Sequence, residues 1–124
     1  MPRRPVNGLR ADTIRMAQQA LGILRADGGN GFYLWLLVGE AHRMLRIQAA
    51  LEAGTIHGRG RNTIFSRLLT ENGLLINGKD RTRLKQIMAN LPAVVGWRES
   101  LPEDERMALN NPTVVWAKFG KHQR

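Results

Sequence analysis

Residues 62–91 read NTIFSRLLTENGLLINGKDRTRLKQIMANL. In the first third, Ile64, Leu68 and Leu69 fall on one helical face with Phe65 beside them, the spacing of an amphipathic helix over about residues 62–71. Asn72-Gly73 stops it, because glycine enters the left-handed conformation without a Cβ clash. Leu74-Leu75-Ile76 then carries apolar side chains into the connection, and Asn77-Gly78 marks a second turn. A further helix is predicted from Lys79 or Asp80 to a point before Pro92, since proline disfavours helical geometry in the residue ahead of it. Two short helices around such a turn predict a helix-turn-helix at about residues 62–91, within an all-α fold, a small helical domain.

The second of these helices divides sharply when placed on a wheel. Leu84, Ile87, Met88 and Leu91 follow i, i+3, i+4, i+7 and form the expected buried face. Thr82 centres the opposite face, with Lys85, Gln86 and Ala89 around it, and Arg81 and Arg83 flank the apolar stripe. Apolar backing, a small polar centre and cationic edges suit a helix lying in a DNA groove. Arg and Lys can bind guanine or phosphate, Gln can pair with adenine and Thr can touch a thymine methyl. Phosphate contacts from the flanks set register without reading sequence.

Charge points the same way. The chain of 124 residues has 19 Lys plus Arg against 10 Asp plus Glu, a formal net charge of +9, so a polyanionic partner is expected. Seven cations (Arg59, Arg61, Arg67, Lys79, Arg81, Arg83 and Lys85) and only two acids (Glu71 and Asp80) lie between His57 and Met88. More than half of the excess charge therefore sits in about a quarter of the chain. Arg59 and Arg61 belong to a glycine-rich stretch, GTIHGRGR at 54–61, predicted as a loop whose backbone can approach a phosphate. It is not a P-loop, because the Gly-Lys-Ser/Thr ending is missing.

Moving outward, residues 1–10 (MPRRPVNGLR) are predicted as a flexible basic arm carrying Arg3 and Arg4, with 11–124 forming a single helical DNA-binding domain. Asp12 is the expected N-cap of a first helix to about Arg25, whose apolar face is Ile14, Ala17, Leu21 and Leu24. A second helix is expected from Gly31 or Phe32 to about Glu52, with Leu34, Leu37, Val38, Ala41, Leu45 and Gln48 on one stripe and Glu40, Arg43 and Arg46 off it. Trp35 and Leu36 leave its first half apolar nearly all round, which predicts deep burial or a contact with another subunit. A strand over residues 32–38 competes with this reading. Near the C-terminus, Ser100-Leu101-Pro102-Glu103 matches a capping box, and Asn111-Pro112 opens a last short helix to about Phe119, ended by Gly120.

The chain has no cysteine, which excludes disulfides and cysteine-ligated zinc. His42, His57 and His122 are too scattered to suggest a metal site, and His42 in mid-helix reads as an exposed or core histidine. Glu103, Asp104 and Glu105 read as a helix start rather than a catalytic pair. No enzyme activity, metal or cofactor is expected. The longest apolar run, Phe32 to Val38, is far short of the ~20 residues a membrane span needs, and the N-terminus lacks the apolar stretch of a signal peptide. A cytoplasmic location, in the bacterial cytoplasm or nucleoid, is expected.

The same region resembles a known group. Gly39-Glu40-Ala41, His57-Gly58, the run Phe65-Ser66-Arg67-Leu68-Leu69-Thr70-Glu71-Asn72-Gly73-Leu74 and then Asp80-Arg81-Thr82 are similar to phage- and plasmid-associated helix-turn-helix proteins. The likeness covers about residues 39–88, and the segment Leu109 to Trp116 is similar to a tail found in some of them. The chain departs in three places: extra residues separate His57-Gly58 from Phe65, the turn before Asp80 is longer, and Arg83 stands where a small residue is usual. The resemblance implies DNA binding on a mobile element. The expected function is a sequence-specific transcriptional regulator that binds double-stranded DNA, usually as a homodimer, with helix 79–91 as recognition helix. One alternative is an architectural or replication-associated protein with little sequence preference. Another is a phage-type interaction module that inhibits a host factor.

Overall fold

The computed structural model describes residues 6–54 and 59–123. Over these the chain forms seven helices and no strand: α1 (Val6–Ala26), α2 (Phe32–Ala53), α3 (Arg59–Glu71), α4 (Gly78–Ala89), α5 (Leu91–Glu99), α6 (Glu103–Met107) and α7 (Pro112–Gln123). Residues 32–38 are helical, so the competing strand does not form. Among the described residues no helix is long and apolar enough to cross a membrane.

Helix α2 is the axis of the fold; α1, α3 and α4 all pack on it, and α4 packs in turn on α7. Its stripe of Val38, Ala41 and Leu45 is fully buried against Ile14, Ala17, Leu21 and Leu24 of α1 and Phe65, Leu68 and Leu69 of α3. A second cluster joins Phe32 of α2 to Ile87 of α4, Val94 of α5, Leu109, and Val115 and Phe119 of α7. Helix α4 serves both clusters, Leu84 in the first and Ile87 in the second. The all-round apolar start of α2 has a matching explanation. Trp35 and Val38 face the first cluster while Phe32 and Leu36 face the second, so most of the surplus is taken up inside the chain, while Tyr33 stays exposed. The Trp35 indole N–H also finds an acceptor, the Gly29 carbonyl at 2.8 Å.

Close approach of α4 to α2 depends on Gly39. A Cβ placed there would lie 2.7 Å from Met88 Sδ, 2.8 Å from Met88 Cγ and 3.1 Å from Leu84 Cδ1. Gly39→Val is therefore expected to destabilise the fold by about 1–3 kcal/mol through overpacking. Met88→Ala in the same chain should restore part of the loss. Urea unfolding of the single and double variants checks both; a Gly39→Val chain as stable as the parent would show that the two helices have room to spare.

Several helix ends fall elsewhere than predicted. Helix α1 begins at Val6, so Asp12 caps nothing and instead pairs with Arg15 one turn on at 2.8 Å. Of the predicted arm, residues 1–5, with Arg3 and Arg4, lie outside the described residues, while Arg10 is tied to Gln48 of α2 at 2.9 Å. Helix α3 starts at Arg59, which puts Arg59 to Arg61 in a first helical turn rather than a loop; residues 55–58 lie outside the described residues. Helix α4 stops at Ala89, and Leu91-Pro92 opens α5 instead of ending α4, because proline in a first turn has no intrahelical N–H to lose. Ser100 caps no helix start: its hydroxyl donates back to the Trp97 carbonyl at 2.6 Å, at the end of α5. Gly120 does not end α7, which continues to Gln123.

The C-terminal helices are held by Arg98, an almost fully buried cation. It donates from Nε to the Leu109 carbonyl at 3.0 Å and from Nη2 to the Arg106 carbonyl at 3.1 Å, and its guanidinium lies 4.4 Å from the Phe32 ring centroid. Burial lowers its pKa, the cost of bringing a charge inside.

Candidate nucleic-acid interface

Helix α4 begins cleanly because Asn77 caps it. The Asn77 side chain accepts from the Asp80 backbone N–H at 2.8 Å, and the Asp80 carboxylate takes hydrogen bonds from Asn77 Nδ2 at 2.9 Å and from the Thr113 hydroxyl of α7 at 3.0 Å. With Leu84 and Ile87 buried, Thr82, Lys85 and Ala89 are left facing solvent, as the wheel predicts.

The connection ahead of α4, residues 72–77, is tied down along its length. Gly73 takes φ 66° and closes α3 with a Schellman pair of bonds, Leu74 N–H to the Leu69 carbonyl at 2.9 Å and Gly73 N–H to the Thr70 carbonyl at 3.2 Å. Side chains of the two supporting helices then take up its carbonyls. Gln18 of α1 donates to Asn72 O at 2.8 Å, His42 of α2 to Leu74 O at 2.9 Å and Arg25 of α1 to Leu75 O at 3.2 Å. The angle at which α4 leaves this connection is thus set by α1 and α2, not by the connection alone.

His42 is the buried member of that trio. A carbonyl only accepts, so Nε2 carries the proton and Nδ1 is bare, buried and without a partner. The ring meets Phe65 edge-on at 5.9 Å. Burial, opposed by the bond to Leu74 and reinforced by the nearby Arg46 and Arg81 cations, pulls its pKa down to about 4. His42 is therefore neutral at physiological pH, the core histidine that its mid-helix position allowed.

Beside this turn, α2, α3 and α4 border an open cleft of about 360 Å³, lined in part by Arg46, Arg61, Arg81 and Lys85. Among the described residues none of these four has a carboxylate partner, although Arg15, Arg43 and Arg67 each sit on one. The Arg46 guanidinium lies 4.8 Å from the Phe65 ring centroid, held by stacking instead of by an acid. Burial, with the Arg61 and Arg81 charges added to it, lowers its pKa to about 10, so it stays a cation at neutral pH but an unfavourably placed one. Arg61 reaches Asn62 at 3.2 Å through Nη2, while its Nε is buried with no acceptor.

The predicted site residues divide into groups. Arg61, Arg81, Thr82 and Lys85 meet in the cleft. Lys79 and Arg83 turn the other way and line a groove against Trp116 and Lys121 of α7. Gln86 is half-buried and accepts from Arg83 at 3.2 Å, so it is less free than its place on the wheel implied. Arg67 is neutralised by Glu52 at 2.9 Å and Glu71 at 3.4 Å. The Arg59 side chain and His57 lie outside the described residues. Arg46 was missed. Sequence places it one step off the apolar stripe of α2, and only the packing of α3 and α4 on that helix brings it to the cleft.

No family model matches the chain, and no characterised protein or solved structure is detectably similar to it. The likeness to phage- and plasmid-associated helix-turn-helix proteins rests on the quoted residues alone.

Proposed function

We propose that this chain binds double-stranded DNA as a sequence-specific regulator of a phage, plasmid or integrated element. In this reading α3, the tied connection and α4 act as a helix-turn-helix, with the exposed side of α4 in the major groove. The observation that carries it is the gathering of Arg46, Arg61, Arg81 and Lys85 from three helices without a neutralising acid among the described residues, next to the open face of Thr82 and Lys85. A polyanion supplies what the fold withholds. Binding as a homodimer would set two α4 helices about 34 Å apart on successive turns of the duplex.

A second reading, an architectural protein with little sequence preference, is favoured by Gln86. The residue best suited to adenine is engaged with Arg83, which leaves Thr82 and Lys85 as the free base-reading pair.

Selection from a random duplex library separates the two. A single enriched, two-fold symmetric motif supports the regulator. Salt-dependent binding with no enriched motif supports the architectural reading, and no binding even at low salt removes DNA as the partner. The cleft cations are tested by Arg61→Gln, Arg81→Gln and Lys85→Gln. Each is expected to flatten the dependence of log K on log salt by about 0.9, the loss of one phosphate contact. Lys85→Gln should in addition cost about 1–3 kcal/mol of discrimination if Lys85 reads a base.

A further inference from the structure

The cleft has a peculiar inventory. Arg46, Arg61, Arg81 and Lys85 are donor-only groups, and among the described residues the one protein acceptor they reach is the Asn62 side chain, bonded by Arg61. One of them, Arg61 Nε, is shut away from water with nothing to bond to, which is costly in a folded protein. The fold does not relieve the crowding. Glu40, Glu52 and Glu71, acids of α2 and α3, are committed to Arg43 and Arg67, and the Asp80 carboxylate of α4 is taken up by Asn77 and Thr113. Arg46 is pinned over Phe65 rather than swung out to solvent.

What completes such a set is one compact anion with several acceptor oxygens. A carboxylate offers two oxygens in one plane; a phosphate offers a tetrahedral group that donors arriving from three helices can share. The volume, about 360 Å³, accommodates a phosphate with its adjoining sugar. We propose that this cleft is a phosphate pocket, that Arg46 of α2 is its central ligand, and that the phosphate it seats comes from the DNA backbone. The source of the phosphate rests on the DNA-binding reading above; the pocket itself does not.

This assignment has a consequence opposite to that of a structural role. An arginine kept for function among like charges strains the free protein. Arg46→Met keeps an unbranched stem against Phe65 and removes the charge. It should therefore raise the melting temperature of the free protein, by roughly 2–5 °C in low-salt chloride buffer. If Arg46 merely glued α2 to Phe65, its loss would lower the melting temperature instead.

The experiment combines melts with a DNA titration. Inorganic phosphate is added at constant ionic strength to wild type, Arg46→Met and Arg46→Lys. Wild type should gain stability with phosphate, Arg46→Met should not, and Arg46→Lys should recover part of the response. Binding of a 25–30 base-pair duplex (on the order of a site that two helices on successive turns would cover) is then measured across a salt series. Arg46→Met should bind roughly tenfold to a hundredfold more weakly, with the salt slope reduced by about 0.9. A lower melting temperature for Arg46→Met, with no effect of phosphate on wild type, overturns the pocket. Duplex binding by Arg46→Met with wild-type affinity and slope overturns the DNA backbone as the source of the phosphate, an outcome that leaves the DNA-binding reading standing. Should wild type ignore DNA yet respond to phosphate through Arg46, the pocket stands, a free phosphate compound becomes its ligand and the DNA reading falls. Should Arg46→Met fail to fold, Arg46→Lys decides: a charged, folded variant with no phosphate response in either it or wild type overturns the proposal.

Discussion

Acidification from pH 7 to pH 4 is expected to remove about 3 kcal/mol of stability through His42 alone. The sign follows from where the proton goes. In the unfolded chain the imidazole titrates near its ordinary 6.5, whereas burial holds it to about 4 in the fold. Between those values the unfolded state binds a proton that the folded state refuses, so stability is complete above about pH 6.5 and drains away as pH falls towards 4. The span of about two and a half units, at 1.36 kcal/mol each, gives the figure. The structural reason is local. A second proton would sit on Nδ1, which is buried without an acceptor, and the added charge would face Arg46 and Arg81. His42→Gln is the control, since its amide can still donate to Leu74 O but does not titrate. Urea unfolding at intervals from pH 7 to 4 should give a wild-type curve that falls more steeply than that of the variant; parallel curves would mean that His42 is protonated as easily in the fold as out of it. Because His42 holds the connection that leads into α4, the same acidification should loosen the presentation of α4 before the whole chain unfolds.

What the sequence revealed, and what it did not, follows the range of the forces concerned. The phase of α4 was legible because burial recurs at helical spacing, and Leu84 and Ile87 are among the most deeply buried side chains. The stop at Asn72-Gly73 was legible because a left-handed residue is a local demand, met by Gly73 at φ 66°. Local signals misled where one residue type serves two purposes. Asp12 and Ser100 have cap chemistry, yet the first pairs with Arg15 inside α1 and the second bonds backwards to Trp97. Pro92 suits a helix start as well as a helix end, and so α5 was not foreseen. Arg59-Gly60-Arg61 has loop composition, but packing of α3 on α2 extends the helix through it. The candidate site was legible in its α3 and α4 members, Arg61, Arg81, Thr82 and Lys85. Arg46 was not, because no pattern within α2 states where another helix will cross it. Nor does spacing reveal that Arg67 is neutralised by Glu52, fifteen residues away on another helix.

Adjacent residues on α4 should separate folding from binding. Leu84 is fully buried in the first cluster, where α4 packs on α2, and Ile87 is buried in the second cluster, so truncating either to alanine opens a cavity in a different part of the core. Each is expected to cost about 2–5 kcal/mol. A domain of this size holds only about 5–15 kcal/mol in all, so the Leu84→Ala/Ile87→Ala double variant should fail to fold. Lys85, one residue on, is exposed and has no acidic partner among the described residues, and Thr82 is likewise exposed. Alanine at either should change stability by no more than about 0.5 kcal/mol while weakening or broadening DNA binding. Thermal melts and duplex titrations on the four single variants give two measurements that must move in opposite patterns. If Leu84→Ala and Lys85→Ala melt within a degree or two of each other, the helix is rotated from the phase described, and the face assigned to DNA goes with it. If all four melts behave as stated and the duplex affinity of Lys85→Ala and Thr82→Ala is unchanged, the helix phase is right, but its open face does not meet DNA. The contrast works because a single turn of helix sets a residue that the core cannot lose beside one that it never touches.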